Sequence, residues 1–180
     1  MRGMEPEVLE TRRLVVFADY CQFFLQDLDA HGIWMRSHAA DPGFIPAGWT
    51  EEAVYGHRIG VEPYSLAIGT ARRDSVEVSL RIFSRAPVAD LEGAGHVVEA
   101  GLGLPGGDLA ICEVDGEEQH VRVTAASYRV RVSYLPAEPP PAGSDQSVPG
   151  DHFLYQIDLW PASGIAPLVV LKQGPRLWAG

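Results

Sequence analysis

Cysteine is scarce in this 180-residue chain. The two thiols, Cys21 and Cys112, form no C-x-x-C and have no metal-ligand spacing, which removes a zinc ribbon and a thioredoxin-type pair. Both lie in apolar, strand-like surroundings, the setting of buried free thiols; a disulfide stays open as the alternative, because sequence separation does not fix spatial separation. Basic residues are also in deficit. Fourteen Lys and Arg against 24 Asp and Glu give a formal charge of −10 and a pI near 4.9. Non-specific binding to nucleic acid needs cations that displace phosphate counterions, so no direct nucleic-acid contact is expected. Anionic lipid is disfavoured for the same reason. No apolar run approaches the length of a membrane span, and Met1–Arg13 lacks the apolar stretch of a secretory signal. The expected location is the cytoplasm.

Catalytic signatures are missing too. Six histidines, His31, His38, His57, His96, His120 and His152, include no H-E-x-x-H pair. No serine has a nucleophile-elbow context. Gly101-Leu102-Gly103-Leu104-Pro105-Gly106 matches the dinucleotide pattern G-x-G-x-x-G, but that chemistry needs a helix N-terminus directly after it. A strand-like run from Asp108 follows instead, so the segment reads as a glycine-rich turn. No catalytic residue, metal site or cofactor is expected.

What is present is alternation. Val76, Val78, Leu80 and Ile82 alternate with Glu77, Ser79 and Arg81. Tyr128, Val130, Val132 and Tyr134 alternate with Arg129, Arg131 and Ser133. Phe153, Tyr155, Ile157 and Leu159 alternate with Leu154, Gln156 and Asp158. Side chains on a strand point to opposite faces in turn, so these are half-buried strands. Further strands are expected at Leu14–Asp19, Gln22–Gln26, Ser65–Thr70, His96–Gly101, Asp108–Glu113, His120–Thr124 and Pro167–Lys172. Tyr20 and Cys21 break the phase, as a bulge would. The expected fold is all-β, an antiparallel two-sheet β-sandwich with at most one short helix, forming one domain over residues 1–180. Residues 1–12 read as a loose arm, 136–150 as a proline-rich loop and 173–180 as a tail. The one helix is expected from Thr50, an N-cap, through an acidic first turn to Tyr55. Residues 28–49 show no sustained period and read as a long loop packed down by Trp34, Phe44 and Trp49.

Two sets of side chains are candidates for function. Asp27, Asp29, Glu51 and Glu52 are carboxylates suited to a basic protein partner; a solvated loop edge and a helix first turn account for them equally. Trp34 and Trp49 with His31 are candidates for an aromatic pocket, and core packing is the alternative. An exposed strand edge or Trp178 would serve a homo-oligomer.

The order of short segments carries a resemblance. Asp19-Tyr20-Cys21-Gln22-Phe23-Phe24-Leu25-Gln26-Asp27 is followed by Trp49-Thr50-Glu51-Glu52-Ala53, then Ala126-Ser127-Tyr128-Arg129-Val130 and Tyr155-Gln156-Ile157-Asp158. Over residues 14–160 this resembles the bacterial competence protein J family, whose known member inhibits a DNA-entry nuclease. The chain departs from that pattern in 28–48, in 136–150 and after Pro161, and no binding residue is carried over. The resemblance implies a non-enzymatic protein that binds another protein. The expected function is an acidic intracellular protein-binding module, an inhibitor of a nuclease or toxin-like partner; the alternative is a small-ligand-binding or enzymatic β-sandwich with an aromatic pocket.

Overall fold

A computed structural model describes residues 5–138 and 152–175. The proline-rich run expected as a loop lies largely outside these residues, as does Trp178. The strands are β1 (Val8–Phe17), β2 (Gln22–Gln26), β3 (Ile59–Glu62), β4 (Ser65–Gly69), β5 (Ser75–Phe83), β6 (His96–Gly103), β7 (Asp108–Cys112), β8 (Glu118–Arg122), β9 (Ser127–Pro136), β10 (Phe153–Pro161) and β11 (Val169–Lys172). They form a six-stranded sheet in the order β1-β5-β10-β9-β6-β11 and a five-stranded sheet in the order β3-β4-β2-β7-β8.

The alternation sets the faces. Val78, Leu80, Tyr155, Ile157, Val130 and Val132 from the larger sheet join Phe23, Leu25, Leu66, Ile68, Leu109 and Ile111 from the smaller one in a single buried cluster. Two tyrosines tie the sheets together. The Tyr134 hydroxyl lies 2.9 Å from both the Arg58 and Gly69 carbonyl oxygens and donates between them. Tyr155 meets Phe23 edge-on with ring centroids 6.1 Å apart. On the opposite face of the larger sheet, Arg81 grips Asp158 with two bonds of 2.7 and 2.8 Å, and Arg129 and Arg131 share Glu99.

Several expectations need correction. The larger sheet is mixed, because β10 runs parallel to β5 while it pairs antiparallel with β9. Alternation records which face a residue occupies, not which way its strand runs. The loose arm ends earlier than expected: β1 starts at Val8 and pairs with β5 through a register shift between Val8 and Glu10. Residues 28–49 are not all loop. They contain α1 (Leu28–His38), capped by the Asp27 carboxylate, which accepts from the Ala30 amide at 3.0 Å. None of its residues is fully buried, so it has no apolar stripe to reveal it. β3 was not anticipated at all, since a four-residue strand interrupted by Gly60 is too short to show a period.

The phase break at Tyr20 and Cys21 is a tight 3-10 turn, Asp19–Cys21, rather than a simple bulge. The glycine-rich run ends β6 and turns into β7, as expected, with no helix after it. Cys112 is buried and Cys21 half-buried, and they are not joined by a disulfide. Among the described residues no helix is long and apolar enough to cross a membrane.

Candidate functional site

The strained backbone of this chain gathers in one place. Among the described residues, the non-glycine residues with positive φ are Tyr20 (51°), Cys21 (55°), Ala47 (56°) and Arg58 (63°). A left-handed conformation costs an L-residue of order 1 kcal/mol or more, and such strain persists where the surrounding structure over-determines it. Tyr20 and Cys21 form the turn between β1 and β2. Ala47 lies in the short turn Pro46–Gly48 that delivers Trp49. Arg58 ends the single π-helical turn Ala53–His57, where its amide donates to the Ala53 carbonyl at 2.7 Å.

These segments enclose a cleft of about 350 Å³ lined by Tyr20, Cys21, Gln22, Trp49 and Val54. Each wall is fixed by identifiable contacts. Asp19 accepts from the Arg73 guanidinium at 2.6 Å and from the Tyr20 amide at 3.0 Å, which pins the turn. The Arg73 bond, more than any other contact, holds the Asp19 carboxyl below its ordinary pKa. The Tyr20 side chain is thereby left 73 % exposed. The Trp49 indole N–H donates to Gln22 Oε1 at 2.6 Å, so the ring stands against β2. Behind it the backbone is packed too closely for side chains: a Cβ on Gly48 would lie 2.6 Å from the Val61 amide nitrogen, and one on Gly60 would lie 1.9 Å from the Ala47 carbonyl oxygen.

The expected helix start is present at the rim. The Thr50 hydroxyl accepts from the Ala53 amide at 3.0 Å, as an N-cap does. Glu51 and Glu52 follow on the exposed side, and Glu52 reaches His57 at 3.4 Å. The helix does not continue as an α-helix but widens into the π-turn, which carries Val54 to the cleft. An aromatic floor with a carboxylate rim can hold an apolar group next to a cationic one.

The expected site residues divide. Asp29 is exposed in the first turn of α1. Asp27 is only 4 % exposed: besides capping α1, it accepts from the Gly106 amide at 2.7 Å. It is therefore a structural anchor between α1 and the β6–β7 turn rather than an exposed carboxylate. His31 and Trp34 do meet, stacked at 6.0 Å, and Trp34 stacks again on His38 at 4.8 Å. His31 Nε2 also lies 2.6 Å from Glu62 Oε2. Trp49 lines the separate cleft at Gln22, so the three expected pocket residues do not share one wall. Tyr20 belongs to the aromatic-rich first third of the sequence but was not singled out with Trp34, Trp49 and His31, and no signal marked Val54.

A second concavity of about 430 Å³ is lined by Arg72, Asp74, Glu77, Glu138, Phe153 and Tyr155 among others. Arg72 and Asp74, both of its lining, pair at 3.2 Å.

No protein-family model and no curated protein sequence matches this chain. The likeness is one of fold, and the class is that of β-rich proteins with two sheets. The structure of ComJ from Bacillus subtilis, inhibitor of the DNA-degrading activity of NucA, aligns with a TM-score of 0.56 over 88 % of this chain and 100 % of that one, at 12 % identity. The structure described as crocagin biosynthetic gene J aligns with a TM-score of 0.48 over 88 % of this chain and 99 % of that one, at 17 % identity. The resemblance in segment order therefore has a counterpart in three dimensions.

Proposed function

We propose that this chain is an intracellular, cytoplasmic protein-binding module, a β-sandwich that inhibits a basic nuclease by seating part of it against the Tyr20–Trp49 cleft. The observation that carries the reading is that exposed aromatic cleft, held by strained backbone and rimmed by Glu51 and Glu52. A contact centre of Tyr and Trp surrounded by charge is the anatomy of a binding hot spot. The fold shared with an inhibitor of a DNA-degrading enzyme supports the choice of partner. The net charge of −10 supports it further. A nuclease presents a basic cleft to DNA phosphates, and a negatively charged inhibitor is steered to it and competes for that site. Asp29 and the two glutamates supply the steering charge; Tyr20 and Trp49 supply the contact.

The test is a DNA-degradation assay with a basic nuclease captured on the immobilised protein. Wild type is expected to suppress degradation. Trp49→Ala should weaken binding by roughly 30-fold or more, the loss of one hot-spot residue. The double variant Glu51→Gln, Glu52→Gln should slow association about 3- to 10-fold at low salt and little at high salt. Undiminished degradation with wild-type protein bound would sink the inhibitor reading. Equal binding by all variants would move the contact elsewhere.

A further inference from the structure

Among the described residues, Arg58 differs from the other buried or half-buried arginines in having no counter-ion. Arg131 has Glu99 and Arg81 has Asp158. Arg58 is 1 % exposed, and its Nε, Nη1 and Nη2 have no hydrogen-bond partner. An arginine keeps its proton in a protein, so this is a buried charge without compensation. The guanidinium carbon sits 5.4 Å from the centre of the Tyr134 ring, a cation–π contact that offsets part of the cost. The acidic groups that act on it are the phenols of Tyr134 and Tyr155. Burial raises the pKa of both, so neither ionises to become a counter-ion.

The cover over this cation is thin and specific. The chain leaves β11 through Gln173, Gly174 and Pro175, and Gly174 lies against the Arg58 guanidinium. Gln173 Nε2 donates to the Gly56 carbonyl at 3.1 Å, and the Gly174 amide donates to His96 Nδ1 at 3.1 Å. A Cβ on Gly174 would lie 2.9 Å from Arg58 Nη2 and 2.5 Å from the Gly95 carbonyl oxygen. Only glycine lets the segment lie this close to the guanidinium. The strap is fastened by single hydrogen bonds, not by a sheet ladder.

We propose that Arg58 is the receptor for a small oxyanion, a carboxylate or phosphate group, which enters when the Gln173–Pro175 strap lifts and takes the place of Gly174 against the guanidinium. The geometry suits that ligand: a planar fork of donors meets two oxygens side by side. The Tyr134 ring forms one wall and keeps the cation dry, which strengthens its pull on an anion. Strap and anion compete for the same face of the guanidinium. The inference is independent of the proposed partner.

The test is thermal unfolding of the intact chain in sodium phosphate and, separately, sodium acetate, at ionic strength matched with sodium chloride. Wild type should gain about 3–6 °C once the oxyanion exceeds its Kd roughly tenfold. A gain in acetate but not phosphate assigns a carboxylate ligand; the reverse assigns a phosphoryl group. Arg58→Met should lose the gain while unfolding in chloride no lower than wild type, since it removes an uncompensated charge. Should Arg58→Met not fold, Gln173→Ala decides. Loss of one strap hydrogen bond should lower the half-saturating concentration about 2- to 10-fold. No gain over chloride in wild type, the same gain in Arg58→Met, or an unmoved midpoint in Gln173→Ala would each overturn the proposal.

Discussion

Asp27 shows how far burial changes the meaning of a carboxylate. In the chain it is one acid among 24. In the fold it accepts from two backbone amides, one starting α1 and one in the β6–β7 turn. Replacing it leaves two amide donors without their charged acceptor. Asp27→Ala is expected to destabilise the protein by about 1–3 kcal/mol, read as a lower denaturant midpoint with the m-value unchanged. A loss below a few tenths of a kcal/mol would mean that water replaces the carboxylate at no cost. His96 is a second such residue. Its Nδ1 accepts from the Gly174 amide, so the proton lies on Nε2 and is donated to the His57 carbonyl at 2.9 Å. Burial pushes its pKa down to about 4, opposed by the bond to the His57 carbonyl and aided by the nearby Arg58 charge.

At the scale of elements, Pro46–Gly48 and β3 depend on each other through backbone contact. Gly60 faces the Ala47 carbonyl so closely that a single methyl group has nowhere to go. Both partners there are main chain, and neither swings aside like a flexible side chain. Gly60→Ala is therefore expected to cost about 1–3 kcal/mol by overpacking. It should also shift Trp49, which the same turn positions. Tryptophan fluorescence and a melting curve would show both effects, and a variant with native emission and native Tm would contradict the contact. Asp19–Cys21 and Ala53–His57 behave alike as elements: each is short, irregular and anchored at both ends. Irregularity of this kind aims the aromatic side chains of the cleft out of the fold, where a regular strand or helix would have turned them inward.

For the whole molecule, the pH dependence follows from His96. Its folded pKa lies below the unfolded value of about 6.5, so folding favours the neutral ring. The contribution is fully present above pH 6.5. It is lost as the pH falls from there toward 4, because the unfolded chain takes up the proton first. The loss is on the order of 3 kcal/mol across that window. Protonation also removes the acceptor for the Gly174 amide and so loosens the strap. Denaturant midpoints measured from pH 7 to pH 4 should fall in wild type and fall less in His96→Gln. The same slope in both proteins would place the effect on other groups.

Much of the strand content could be read before any coordinates. β5, β9 and most of β10 alternate because one face of each packs into the apolar core while the other carries polar side chains, and a two-residue period survives any tertiary arrangement. The Thr50 cap and the acidic turn after it were equally legible, since a cap is a local bond between residues three apart. Strand direction was not, for the period is the same whichever way a strand runs. α1 stayed hidden because it buries no complete stripe, and β3 because four residues show no period and what holds them is pairing with β4 and close backbone contact with the Pro46–Gly48 turn. Asp27, Glu51 and Glu52 looked alike as residues; only the fold buried the first and left the others at a rim. The positive φ values of Tyr20 and Cys21, the meeting of Trp49 with Gln22, and the solitary charge of Arg58 belong to the tertiary structure. They depend on contacts between residues far apart in sequence. No local pattern encodes which distant group will be absent, and for Arg58 that absence is the informative fact.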